Sequence, residues 1–187
     1  MLAAGVVLGV GAASTLAAWN DSEFTQADFT AGRFGIVGAT NGATFSEHAT
    51  AATAAALSFQ LPATTAAMAP GNTVYALFSV KTLNPSVAGT VQLTADGANG
   101  AGLGAHLRYS VRTIPGTTCN ATPQTGETVI VPAGSTLTTG ATLTQTLTAN
   151  GASQVNYCFA VTLPTATPNA AQGLGLTARW TFTAMSS

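Results

Sequence analysis

Charge is what this sequence has least of. Only 6% of its 187 residues are charged, against about 25% in an average soluble domain. Five basic residues against six acidic ones leave a formal net charge of −1. That argues against nucleic acid as a partner, because such a protein needs a basic surface to displace counterions. It also leaves little long-range self-repulsion, which suits packing against copies of the same chain. Histidine is nearly absent, with only His48 and His106. There is no HExxH, so a zinc protease lacks the paired ligands it needs on one helix face. "SEHAT" (46–50) holds one Glu-His pair, Glu47-His48, and reads as a surface loop. No GxSxG raises the case for a serine nucleophile. Asp21, Glu23 and Asp28 lack the EF-hand loop pattern and read as a solvated acidic segment. The Gly-rich "DGANGAGLG" has no phosphate-binding spacing. No catalytic, metal or cofactor-binding residue is therefore assigned.

Cysteine is also scarce, at two: Cys119 and Cys158. Beside an export signal, an even pair reads as one disulfide, worth about 4 kcal/mol by the chain-entropy account. Two unpaired thiols or a metal pair are the alternatives. No CxxC or nearby His completes a metal site.

What is abundant is alanine, threonine and glycine, with 47% hydrophobic residues overall. This is not a disordered profile. Thr, Val and aromatics at alternating positions favour strands, and Gly and Pro mark the turns between them. "LSFQL" (57–61) reads as a short strand after a possible short helix near 51–56. "VYALFSVKTL" (74–83) puts Val74, Ala76, Phe78 and Val80 on one face before Asn84-Pro85 breaks it. "GTVQLTA" (89–95) follows. "HLRYSVRTI" (106–114) faces Leu107, Tyr109 and Val111 inward, with His106 exposed at its start. "TVIVP" (128–132) is short, and the Leu/Thr stretch after it gives one edge strand. "QVNYCFAVTL" (154–163) faces Val155, Tyr157, Phe159 and Val161 inward, so Cys158 lies on the opposite face, toward the Cys119 loop. "LTARWTFTA" (176–184) faces Leu176, Ala178, Trp180 and Phe182 inward. The class is all-β: a two-sheet antiparallel sandwich, jelly-roll-like, of about eight or nine strands.

The N-terminus reads in three parts. Residues 1–18, "MLAAGVVLGVGAASTLAA", are apolar and rich in small residues. They read as a signal peptide, with Ala17 and Ala18 suited to cleavage and Leu16 less so. The first positive side chain is Arg33, so Met1 reads as an internal start with basic residues upstream; an uncleaved anchor is the alternative. Residues 19–34 carry Trp19, Phe24, Phe29 and Phe34, one aromatic every five residues. That fits neither a helix face nor a half-buried strand. Trp19 and Phe29 would point to one side of a strand, Phe24 and Phe34 to the other. Such a segment is most stable between two layers; a loop patching its own core is the alternative. Residues 35–187 form the sandwich.

"TLAAWNDSEFTQADFTAGRFGI" resembles the start of the TasA/camelysin family of exported bacterial fibre proteins. Small residues precede an aromatic-Asn-Asp triplet, Trp19-Asn20-Asp21, and Phe29 follows in "ADFTAG". "MAPGNTVYALFSVKTLNPSVAGTVQLTAD" and "LGLTARWTFTA" resemble that family's turn-and-strand pattern and its last core strand. The resemblance implies cleavage between Ala18 and Trp19 by a dedicated signal peptidase, a jelly-roll-like sandwich, and secretion to the cell surface. It also implies a structural subunit of biofilm-matrix fibres, in which the N-terminal segment complements the next subunit as a donor strand. The partner would then be the chain itself, with other matrix or cell-surface components as a second class, and membrane contact would be limited to the signal peptide. A monomeric surface or adhesive sandwich is the second expectation, and a camelysin-like metallopeptidase the third.

Overall fold

A computed structural model of the chain describes residues 20–61 and 67–187. The expected cut between Ala18 and Trp19, and the Trp19 anchor itself, lie outside the described residues. Residues 20–31 have no regular secondary structure, and every one of them is exposed. The compact unit begins at Gly32.

That unit is an antiparallel β-sandwich of eight strands. They are β1 (Ile36–Ala39), β2 (Thr73–Thr82), β3 (Gly89–Ala95), β4 (Arg108–Ile114), β5 (Thr128–Ser135), β6 (Gln145–Leu147), β7 (Val155–Thr162) and β8 (Trp180–Ser186). One sheet has the order β1-β2-β7-β4-β5, the other β6-β3-β8. The chain changes sheet between most consecutive strands, so each sheet is built from distant parts of the sequence.

Period-two patterning sets the core, because successive side chains on a strand point to opposite faces. Val74, Ala76, Phe78 and Val80 of β2 are buried, as are Tyr109 and Val111 of β4 and Tyr157, Phe159 and Val161 of β7. From the facing sheet come Val91 and Leu93 of β3, both buried, and Trp180, Phe182 and Ala184 of β8, all half-buried. The rings interlock across the layers. Phe182 stacks on Phe78 with centroids 4.9 Å apart and meets Tyr157 at 4.7 Å. Trp180 meets Phe159 at 5.2 Å.

The outer face of the five-stranded sheet is covered by loops. Cys158, outward on the central β7, is bonded to Cys119 in the loop between β4 and β5. The same loop is held by Arg112, whose guanidinium pairs with Glu127 at 3.1 Å and donates to the Asn120 carbonyl. Its side chain is only 17% exposed, so this pair is worth more than a solvent-screened one. At one end, Ser86 N–H donates to the Asn150 side chain and Asn150 N–H to the Ser86 carbonyl, closing the turn that contains the cis Asn84–Pro85 bond.

Several local expectations change. His106 caps a short 3-10 turn and is half-buried; the strand starts two residues later at Arg108. The last strand starts at Trp180 rather than Leu176: at Arg179 the carbonyl still accepts from Asp96 N–H, but the N–H turns to the side chain of buried Asn99. Its side chain accepts from Arg179 N–H at 2.8 Å and donates to the Arg179 carbonyl at 2.7 Å. The possible helix near 51–56 is one 3-10 turn, Ala51–Thr53. "LSFQL" belongs to no sheet, and a γ-turn bends it at Gln60.

Candidate functional site

The three-stranded sheet is too narrow to cover the five-stranded one. β3 lies in its middle, and the outer edge of β8 pairs with no strand among the described residues. Beside that edge a groove of about 1460 Å³ opens between the layers. This exceeds the ~300–1,000 Å³ of ordinary small-molecule pockets. Phe78 and Val80 of β2 and Phe159 of β7 lie on its floor side, and Trp180 and Phe182 of β8 form one wall. Residues 47–61 form much of the other.

Those wall residues run along the open side of the sandwich. Ser46 is bridged to Gly38 of β1, which lies opposite Val80 of β2. The chain then returns to the start of β2 at Thr73, a distance of about 23 Å for seven strand residues. Ala55, Leu57 and Phe59 are half-buried and pack on the core, while Ala56, Ser58 and Gln60 are exposed. This is the period-two signature of a strand. Yet among the described residues the only backbone hydrogen bond of 55–60 is Phe59 carbonyl accepting from Leu61 N–H, a γ-turn that bends the chain at Gln60 and ends the alternating stretch.

The sequence-predicted anchors separate here. Phe24 and Phe29 are 96% and 94% exposed. Phe34 instead belongs to the compact unit and is half-buried. Its neighbours are fixed by backbone bonds: Leu83 N–H to the Gly35 carbonyl, and Val87 N–H to the Arg33 carbonyl. The Phe34 ring lies over Gly89, where any Cβ would come within 2.7 Å of it. Cys119 and Cys158 are joined.

His48 also lines the groove, and its Nε2 lies 3.1 Å from Ser46 Oγ. Among the described residues no three His, Cys, Asp or Glu side chains gather in one place. The groove's chemistry is that of apolar side chains and an unused strand edge. Sequence reasoning found the aromatic donors of that surface on β2, β7 and β8, but not the groove. Its signal is a missing neighbour, which no residue pattern announces. Compared with known proteins, the chain matches no family model and no curated protein.

Proposed function

We propose that this protein is a secreted structural subunit that self-assembles into extracellular fibres. Each copy lays its N-terminal segment, residues 19–31, into the groove beside β8 of the next. One observation carries this reading: among the described residues the sandwich sets five strands over three, with an apolar groove along an edge of β8 that pairs with none of them.

The segment's own composition supports the match. Phe24 and Phe29 stand almost fully exposed, and burying each is worth about 1.5–3 kcal/mol. A strand added to a sheet edge gains main-chain hydrogen bonds from the edge and specificity from alternate side chains. Twelve or thirteen extended residues reach about 40 Å, ample for an edge the length of β8. A head-to-tail contact of this kind propagates into a filament wherever its rotation does not close a ring. The resemblance of the Trp19–Phe34 region to TasA/camelysin proteins agrees with it, and the Cys119–Cys158 disulfide fits an oxidising, extracellular setting.

The test compares a chain beginning at Trp19 with one beginning at Gly32, which keeps Phe34 in place. Size-exclusion chromatography and electron microscopy should find filaments from the first and monomers from the second. Phe24→Ala with Phe29→Ala should behave like the shorter chain while melting at the same temperature as the parent. Equal assembly by all three would rule out the donor segment. Monomers from all three would instead favour a surface sandwich that works singly. Sequencing the N-terminus of secreted protein should begin at Trp19.

A further inference from the structure

We infer that segment 54–61, up to the turn at Gln60, is a strand lacking its neighbour, and that the incoming donor supplies it. The donor would then lie between two edges, β8 on one side and residues 54–61 on the other. The inference rests on the donor reading above and adds what the receiving subunit does.

Three observations converge. The first is the mismatch between pattern and pairing. Residues 55–59 alternate half-buried and exposed, as a strand does, yet among the described residues their backbone is unpaired apart from the γ-turn bond of the Phe59 carbonyl. Backbone groups taken out of water are normally paired, so a patterned and unpaired stretch beside an open groove marks a place for a neighbour. The second is space. The groove is about 1460 Å³ with segment 54–61 already in position as a wall, so a strand can insert without evicting it. The third is count. The narrower sheet has three strands against five. A donor and segment 54–61 bring it to the same number.

Hydrogen exchange tests this on the full chain held dilute, with a synthetic peptide of residues 19–31 added in excess. The expected result is slower exchange, by about tenfold or more, in two stretches together: Trp180–Ser186 and residues 54–61. Protection of β8 with unchanged or faster exchange in 54–61 would overturn the inference and leave the donor reading standing, with the segment as a bystander or as a displaced cover. No protection in either stretch would remove the donor reading, and this inference with it.

Discussion

At the scale of single residues, the least satisfied group in the core is the Tyr157 hydroxyl. It is buried and has no hydrogen-bond partner among the described residues. A buried hydroxyl without a partner costs about 1–3 kcal/mol, so Tyr157→Phe should leave stability unchanged or raise it by about 1 kcal/mol. Urea unfolding at neutral pH checks this, and a loss of more than about 1 kcal/mol would show that the hydroxyl is satisfied after all. The same burial pushes the Tyr157 phenol well above its ordinary pKa. Burial also raises Tyr109, partly offset by the neighbouring Trp180 indole, although that indole N–H reaches no acceptor at hydrogen-bond geometry among the described residues. The sign follows from linkage. The unfolded phenols ionise near pH ~10 while the folded ones still hold their protons. Stability from these groups is thus intact below pH ~10 and falls as pH climbs from there toward the folded values. Tyr157→Phe should flatten that alkaline fall.

At the scale of elements, β8 is held chiefly by its rings. Phe182 touches Phe78, Tyr157 and Phe159, but the residue is only half-buried. A fully buried Phe→Ala change costs about 3–5 kcal/mol; Phe182→Ala should cost about 2–3 kcal/mol. A shift in the denaturant midpoint equivalent to less than ~0.5 kcal/mol would mean that β8 is anchored by its ladder to β3 alone. The strand faces were the most legible part of the fold. Val74 to Val80, Leu107 to Val111 and Tyr157 to Val161 alternate cleanly, and burial follows the alternation. Strand ends were less so. Arg179 reads as strand, but its N–H donates to the side chain of Asn99, eighty residues away, and not to a ladder carbonyl. "LSFQL" was legible as a pattern and not as a sheet member, since pairing needs a neighbour and pattern does not. Phe34 was indistinguishable from Phe24 and Phe29 by spacing; what separates it is Gly89, whose missing side chain leaves room for its ring.

At the scale of the molecule, the sandwich has a fastened back and an open front. The disulfide ties the loop between β4 and β5 to the central strand of the wider sheet, across a sequence separation of 39 residues. Closing a loop of that size is worth about 4 kcal/mol in the unfolded-state account. Cys119→Ala with Cys158→Ala should lower stability by about that amount, read from thermal or chemical unfolding. The groove lies on the opposite face of that sheet, so filament formation by the folded double variant should persist. Loss of less than ~1 kcal/mol would mean that the Arg112–Glu127 pair and loop packing hold the back without the bond.

The ladder between β3 and β8 joins Gly89 to Ser186 and Ala95 to Trp180. Its two halves are therefore separated by most of the second half of the chain. A ribosome delivers the N-terminal part of a chain first, and pairings between distant segments form late. In the assembly proposed above, the segment that inserts is thus synthesised first, and the wall that receives it last. On that proposal a chain still being made would carry a donor but no finished acceptor, so two nascent copies would not polymerise. Order of synthesis alone would postpone fibre growth until the β8 wall exists.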